Sequence, residues 1–166
     1  YGLPFFGTAG ATDAKFCDAQ AGAEAAFQCL SSAAIGSGLV HDCSSWMDHG
    51  NLVSPEFMVL VNDIVTSVKH YMEGIPVTAE TLALDVIDRV GPGGHYLADP
   101  HTMANFRKIK YSDLFEREVY ENWKTKGAKK MEQRLQELTI EKMKHRPAAL
   151  PEDVIKELDR MQASWK

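Results

Sequence analysis

Two units of similar pattern occupy the first half of the chain. Each has a short apolar stretch, a polar loop and an amphipathic stretch. In the first unit, Leu3–Gly7 predicts a short buried strand and the Ala-rich stretch Asp18–Ala34 predicts a helix that ends before glycines. In the second, Leu39–Asp42 predicts a strand, and Ser54 followed by Pro55 predicts a helix start. This alternation is typical of a parallel sheet with crossover helices. The apolar stripe of the second helix comprises Phe57, Val61, Ile64, Val65, Val68 and Met72, and it stops at Gly74.

The middle of the chain repeats this pattern more weakly. Thr78 is placed to cap a helix through about Val90, and the Gly-rich turn at 91–94 breaks it. The segment His95–Leu97 is either a very short third strand or an extended connection. Asp99 with Pro100 predicts the start of another helix.

Beyond residue 110 the pattern is almost wholly helical, which divides the chain into βα units at 1–110 and a helical extension at 111–166. Asp113 and Glu116 have the spacing of a capping box, and that helix is expected to stop at Gly127. A charged helix then runs to about His145. A last helix after Pro151 has an apolar side suited to packing or subunit contacts. That side carries Val154, Ile155, Leu158, Met161 and Trp165.

Two or three strands cannot close a barrel, since a complete (β/α)8 barrel takes roughly 250 residues. The fold is therefore α/β, either as a small open domain or as the C-terminal part of a TIM-type barrel. The chain opens with Tyr1 at the edge of a predicted strand, without an initiator Met, which favours a piece of something longer.

Composition and charge exclude several classes of function. The 166 residues are 45% hydrophobic and 25% charged, with a formal net charge of -5, so no basic surface for nucleic acid is expected. No apolar run reaches the roughly 18 residues that span a bilayer, and no signal peptide is evident, so we expect no membrane partner and a cytoplasmic location. Three widely spaced cysteines favour reduced thiols over a disulfide framework.

Candidate chemistry is concentrated where the predicted strands end. Because carboxyl ends of parallel strands meet at one edge of a sheet, three loops are expected to share one rim. The alternative for any single residue is structural: Asp13 and Asp42 cap helices or tie loops, and the histidines are hydrogen-bonded core residues. The rim residues are Asp13 and Lys15 in the first loop, His41, Asp42, Asp48 and His49 in the second, and His95 and Tyr96 in the third.

The sequence also allows other chemistries. A zinc site would use His41, Cys43, Asp48 and His49, although their spacing fits no standard motif, and a Cys43–His nucleophile pair has nothing to fix its geometry. Aromatic faces beside carboxylates would suit an organic cation such as a methylated ammonium. Those aromatics are Phe5, Phe6, Trp46 and Tyr96, of which the two phenylalanines are better suited to fill a barrel interior.

Several separated motifs resemble the trimethylamine:corrinoid methyltransferase family, and the resemblance covers the whole chain. They are Gly7–Lys15 with Asp18–Ala21, then Leu39–Asp42, Asp48–Gly50, and Gly94–Leu97 with His101 and Thr102. The resemblance implies the C-terminal third of a (β/α)8 barrel with additional C-terminal helices. It also implies transfer of a methyl group from a methylated amine to the Co(I) of a separate corrinoid protein.

The resemblance further implies that no cofactor is bound permanently, because the cobalt corrinoid is presented by the partner protein. Family members acting on trimethylamine carry pyrrolysine. In this protein that residue lies outside this segment, is written as an ordinary residue, or is absent, and relatives without it act on quaternary amines such as glycine betaine. The expected partners are the corrinoid protein, a small methylated amine, the N-terminal remainder of the barrel and further copies of the protein in a homo-oligomer. A non-catalytic assembly domain is the alternative of another class.

The site roles that we assign are inferences from position at strand ends. Asp13 and Asp48 are candidates for electrostatic positioning, and His41 and His49 for hydrogen bonding or proton adjustment around the amine. Together these four form the predicted catalytic set. The predicted substrate-binding set is Trp46 and Tyr96 as cavity walls and His95 as a hydrogen-bonding group, and no metal ligand is assigned.

Overall fold

A two-stranded parallel sheet with its crossover helix begins the fold. The computed structural model describes residues 3–165. Strand β1 (Phe6–Thr8) pairs in parallel with β2 (Leu39–His41), with Gly7 opposite Val40. Helix α1 (Ala19–Ala34) connects these strands, and helix α2 (Pro55–Met72) follows the loop after β2. The two predicted βα units are therefore confirmed.

Both long helices begin where the sequence predicts. The Asp18 carboxylate accepts hydrogen bonds from the amides of Gln20 at 2.9 Å and Ala21 at 3.2 Å, so two amides without intrahelical partners are satisfied at the start of α1. Ser54 Oγ accepts from the amide of Phe57 at 3.1 Å at the start of α2. Because each cap uses only local residues, it could be recognised from the sequence.

The hydrophobic core lies mainly between α1 and α2. Alanines on α1 let the two helices approach closely, and larger side chains of α2 fill the space between them. Leu114 and Leu135, from the predicted helical extension, pack in the same core. The division of the chain at residue 110 stays a prediction. The core contains Ala21, Ala25 and Cys29 of α1 and Phe57, Leu60, Val61 and Ile64 of α2.

The first predicted strand is not buried. Leu3, Phe5 and Phe6 are 76%, 45% and 69% exposed, and the strand itself begins at Phe6 rather than Leu3. A parallel strand is buried only when neighbouring strands and helices cover both of its faces. The described chain provides one neighbouring strand, so the apolar sequence of β1 remains open to solvent.

The loop after β2 contains a hairpin that the sequence did not predict. Strands β3 (Trp46–Met47) and β4 (Leu52–Val53) pair antiparallel around a short 3₁₀ turn at Asp48–Gly50. Strands of two residues are too short for a periodic pattern to reveal. The hairpin matters because it carries three of the predicted site residues, Trp46, Asp48 and His49.

The middle segment is more broken than expected. Thr78 forms the predicted capping box, but the helix is interrupted at Ala83 (φ +50°), which divides it into α3 (Ala79–Leu82) and α4 (Leu84–Val90). His95–Leu97 is coil and turn, so of the two alternatives the extended connection is correct. Helix α5 (Pro100–Asn105) begins after Asp99 as predicted.

One helix start in the C-terminal part is wrong. Asp113 does not begin a helix. Ser112 Oγ accepts hydrogen bonds from the amides of Leu114 and Phe115, but the chain continues as a non-helical turn in which Leu114 is buried in the core and its carbonyl accepts from Arg134 Nε at 3.0 Å. The helices there are α6 (Tyr120–Thr125), α7 (Met131–Met143) and α8 (Glu152–Ala163). Helix α8 contributes no buried residue to the described chain.

The architecture is thus α/β, mostly helical with two small sheets, which is consistent with part of a larger α/β domain. The complete barrel stays a prediction. Within residues 3–165, no helix combines the length and the apolar character that crossing a membrane requires.

Candidate functional site

Two loops meet at the carboxyl ends of β1 and β2. The first loop spans residues 9–18 and the second spans 42–54. Two backbone hydrogen bonds join them, from the Thr12 amide to the Trp46 carbonyl at 3.0 Å and from the Asp48 amide to the Ala14 carbonyl at 3.2 Å. The predicted rim therefore exists for the first two βα units.

Two contacts between polar side chains, one of them a Lys–Asp ion pair, cross between the same loops. Asp13 Oδ1 lies 2.9 Å from His49 Nδ1, and Lys15 Nζ lies 3.0 Å from Asp48 Oδ1. Lys15 also donates a hydrogen bond to the Asp13 carbonyl at 2.8 Å. The predicted residues Asp13, Asp48 and His49 are thus brought together, with Lys15 between the two carboxylate residues. We call these four residues the rim cluster.

Glu24 of α1 holds the first loop in place. Its carboxylate accepts hydrogen bonds from Thr12 Oγ1 at 2.6 Å, the Asp13 amide at 3.0 Å and Gln20 Nε2 at 2.8 Å. These bonds, with the Thr12 hydroxyl contributing most, hold the pKa of Glu24 below its usual range. Sequence reasoning missed Glu24, because its position facing the loop follows only from the orientation of α1.

The second loop has a strained backbone. Four residues other than glycine have a left-handed conformation: Asp42, Ser45, Asp48 and His49, with φ values of 57°, 68°, 49° and 54°. Such conformations cost free energy and persist only where surrounding contacts enforce them. The hairpin and the bonds to the first loop supply those contacts, so the rim cluster belongs to a conformationally constrained loop.

His41 is engaged locally. Its Nδ1 lies 2.6 Å from Asp42 Oδ2, and its ring packs edge-on against Phe6 with the ring centroids 5.7 Å apart. Among the described residues, no hydrogen bond connects the His41 side chain to the rim cluster. His41 therefore lies at the end of β2 as predicted, but its present partner is the adjacent carboxylate.

Trp46 combines a fixed backbone with a partly open ring. Its carbonyl is bonded to the Thr12 amide, and its side chain covers Gly50, whose added Cβ would lie 3.5 Å from Trp46 Cε3. Trp46 is nevertheless 44% exposed. An indole face is therefore available beside the rim cluster.

His95 and Tyr96 belong to a separate local arrangement. They lie in the connection before α5, where buried Asp99 caps that helix and pairs with Arg89 at 2.8 Å. The backbone hydrogen bond from the His101 amide, together with Arg89, holds the pKa of Asp99 below its usual range. No side-chain hydrogen bond or ion pair within residues 3–165 joins His95 or Tyr96 to the rim cluster, so their convergence with it stays a prediction.

The thiols and histidines do not assemble a metal centre in the described part of the chain. No group of three or more His, Cys, Asp or Glu residues there is placed to hold a metal ion, including the set considered for zinc. The three cysteines are free thiols. Burial raises the pKa of Cys17 to about 11 and that of Cys29 to about 12, so neither is a ready nucleophile at neutral pH.

The fold and the site define an α/β protein with a polar cluster at the carboxyl ends of parallel strands. A family profile described as trimethylamine methyltransferase (MTTB) matches residues 1–164. The chain belongs to this family.

Curated relatives give the same result. The chain is 33% identical over 159 residues to a trimethylamine methyltransferase of Methanosarcina thermophila, covering 95% of this chain and 33% of the relative. It is 34% identical over 155 residues to a trimethylamine methyltransferase of Desulfitobacterium hafniense, covering 93% and 31%. A glycine betaine methyltransferase of D. hafniense is 32% identical over 124 residues, covering 74% and 26%. The chain thus spans about a third of the length of these relatives.

Proposed function

We propose that this chain forms part of an enzyme that transfers a methyl group from trimethylamine to the Co(I) of a separate corrinoid protein. The transferred methyl group would enter methylamine-dependent methanogenesis or related C1 metabolism. Family membership supports methyl transfer, and the names of two relatives specify trimethylamine. The observation that carries the site assignment is the rim cluster, in which two carboxylates, an ammonium group and an imidazole lie at the ends of parallel strands.

The reaction would be a nucleophilic displacement at the methyl carbon. A methyl group leaves trimethylammonium as its C–N electron pair goes to nitrogen, and the cobalt electron pair forms the new Co–C bond. The products are dimethylamine and methyl-Co(III). Such a displacement needs orientation and a favourable electrostatic environment rather than an obligatory general base.

The residues of this chain would serve to position the substrate. Asp13 contacts His49 and Asp48 contacts Lys15, each through one carboxylate oxygen. Each contact fixes the carboxylate and leaves its other oxygen to face an ammonium group. The partly exposed indole of Trp46 adds an aromatic face, which also attracts organic cations.

The residues of this chain position the substrate in this proposal and do not supply the metal. In this proposal the cobalt is a methyl acceptor carried by the partner protein, and the chain binds no cofactor permanently. The positioning roles of these residues do not depend on pyrrolysine. We place the enzyme in the cytoplasm as a homo-oligomer.

Glycine betaine is the second candidate substrate, because one relative is a glycine betaine methyltransferase. Betaine has a carboxylate that trimethylamine lacks, so its binding would need a cation. Lys15 lies in the rim cluster and is 58% exposed in its side chain. The Lys15 ammonium group would therefore attract the carboxylate of betaine, whereas it would repel the cationic trimethylammonium group.

The test uses the full-length enzyme with its corrinoid protein reduced to Co(I) under anaerobic conditions. Loss of the Co(I) absorbance is followed with trimethylamine or glycine betaine, and dimethylamine or dimethylglycine is quantified as the product. We expect turnover with trimethylamine. Turnover with glycine betaine alone, together with a raised KM for betaine in Lys15→Ala, would replace trimethylamine by the quaternary amine.

Variants of the rim cluster test the site itself. Asp48→Asn and His49→Ala are expected to reduce methyl transfer, and unchanged demethylation in both would remove these residues from the site. A non-catalytic assembly domain makes a separate prediction: the chain would fold as a monodisperse species, and neither amine would be bound in calorimetry or demethylated.

A further inference from the structure

Cys29 and Cys43 approach each other across two elements. Cys29 is on α1 and Cys43 is in the loop after β2, and their Sγ atoms are 3.9 Å apart. A disulfide bond is about 2.0 Å long, so the two sulfur atoms would have to approach by about 1.9 Å to form one. The third cysteine, Cys17, precedes α1 and has no thiol partner among the described residues.

The thiol pair packs beside Gly10, in the first of the two loops that form the rim cluster. A Cβ atom added to Gly10 would stand 3.3 Å from Cys29 Sγ and 3.1 Å from the Cys43 carbonyl, so the pair packs against the backbone just after β1. Cys43 follows Asp42 and precedes Ser45, both of which have left-handed backbone conformations. A bond at Cys43 therefore acts on the loop that continues to Asp48 and His49.

Small reagents have a route to these thiols. Cys29 and Cys43 both line an open cavity of about 790 Å³ between β2 and α2, which also includes Met58, Asn62 and Lys69. Cys29 is 6% exposed and Cys43 is half-buried. The more accessible Cys43 is placed to react first with a reagent in the cavity, and Cys29 is placed to resolve the product.

We propose that Cys29 and Cys43 form a reversible redox pair whose disulfide fastens the loop carrying Asp48 and His49 to α1. The oxidant is a low-molecular-weight disulfide. The Cys43 thiolate attacks one sulfur of that disulfide and releases the first small thiol. The Cys29 thiol then gives up its proton, attacks Cys43 Sγ and releases the second. Two protein thiols are oxidised, one small disulfide is reduced, and the two protons end on the released thiols.

The geometry also explains why reaction should stop at an internal bond. Burial raises the pKa of Cys29 to about 12, so Cys29 is a poor nucleophile towards a reagent in solution. Once Cys43 carries a mixed disulfide, its sulfur is held beside Cys29. The high effective concentration then compensates for the low thiolate fraction of Cys29 and allows the internal bond to form.

The experiment treats the chain with oxidised glutathione and maps its peptides without reduction. We expect a Cys29–Cys43 linked peptide, loss of two of the three thiols, a mass lower by about 2 Da, and full reversal by dithiothreitol. Cys17→Ala is the matched control and should form the same link. Cys43→Ala should not form it while keeping the circular dichroism spectrum of the parent chain.

Loop fastening has its own readout. Amide hydrogen exchange of residues 42–50 is expected to slow by about tenfold or more in the oxidised chain and to recover on reduction. Three thiols that remain free, a stable mixed disulfide without ring closure, or unchanged exchange in the linked chain would each overturn the proposal. None of these outcomes depends on methyl transfer, so the result is independent of the proposed activity.

Discussion

Nδ1 of His49 lies 2.9 Å from Oδ1 of Asp13, and the two residues belong to loops that follow different strands of the parallel sheet. Thirty-five intervening positions of the chain, including all of α1, separate partners that the tertiary structure brings into contact. The side chains are 66% and 62% exposed, so their pairing contributes little to stability. We expect the contact to fix the orientation of the Asp13 carboxylate and the His49 imidazole at the rim.

Separating this pair should affect activity more than folding. We expect Asp13→Asn and His49→Ala to lower kcat/KM for the methylated amine by about tenfold, or ~1.4 kcal/mol of transition-state stabilisation. Both variants should change the free energy of unfolding by less than ~1 kcal/mol, because the pair is exposed. Steady-state methyl transfer by the full-length enzyme and urea denaturation measure the two effects.

His70→Ala is the control for this pair. His70 Nδ1 also lies 3.1 Å from a carboxylate, that of Glu73, but at the far end of α2 from the loops. Activity should remain unchanged in this variant. Equal losses in His49→Ala and His70→Ala would mean that the rim position of His49 has no special role.

Glu24 should make the first loop sensitive to acid. Since the pKa of Glu24 is lowered in the folded protein, its stabilising contribution is fully present above the ordinary pKa of about 4.5 and is lost as the pH falls through the lowered value. Glu24→Gln is therefore expected to lower Tm at pH 7, with a difference from the parent chain that shrinks below about pH 4.5. Thermal denaturation between pH 3 and pH 7 follows this difference.

Glu141→Gln is the matched control for the pH experiment. Glu141 is exposed on α7, and its carboxylate makes no hydrogen bond within residues 3–165. Its Tm difference from the parent chain should be small and nearly constant with pH. A pH-independent difference in Glu24→Gln as well would show that the Glu24 carboxylate is not what ties the loop.

Gly10 is expected to resist substitution for two reasons: its left-handed backbone conformation and the lack of space for a Cβ atom. Gly10 and Gly36 both have φ of +78°, but a Cβ at Gly10 would stand 3.0 Å from Val61 Cγ1, whereas nothing lies within 4 Å of a Cβ at Gly36. Gly36→Ala should cost about 1 kcal/mol for the left-handed backbone. Gly10→Ala should cost about 2–4 kcal/mol because crowding is added. Equal losses in urea denaturation would contradict this explanation.

Helix α8 should be dispensable for the stability of this chain. Leu158 of α8 is 49% exposed, whereas Leu135 of α7 is 4% exposed and belongs to the core. Leu158→Asp is expected to change the free energy of unfolding by less than ~0.5 kcal/mol. Leu135→Asp should destabilise the chain by more than about 4 kcal/mol, because it buries an unpaired charge. A large loss in Leu158→Asp would reveal a packing partner for α8.

Local chemistry explains which elements could be predicted. Asp18 and Ser54 cap α1 and α2 with bonds to amides two or three residues away, so the starts of both helices follow from neighbouring residues. The same reasoning was wrong at Asp113. The adjacent Ser112 makes cap-like bonds to the amides of Leu114 and Phe115, yet no helix follows, and the Leu114 carbonyl accepts a hydrogen bond from Arg134 of α7 instead. A cap-like motif there is not enough to predict a helix, because contacts with a distant element also act on the segment.

By itself, the sequence determined the βα order, the two long amphipathic helices, the family resemblance and the presence of Asp13, Asp48 and His49 at strand ends. All of these follow from periodicity, caps and motifs that span a few residues. Only the tertiary structure decided that Lys15 pairs with Asp48, that Glu24 of α1 holds the first loop, and that the apolar β1 is exposed. Those outcomes depend on the rotation of a helix about its axis, on left-handed backbone conformations in one loop, and on which neighbours cover a strand. These are relationships between distant segments, and no local pattern encodes them.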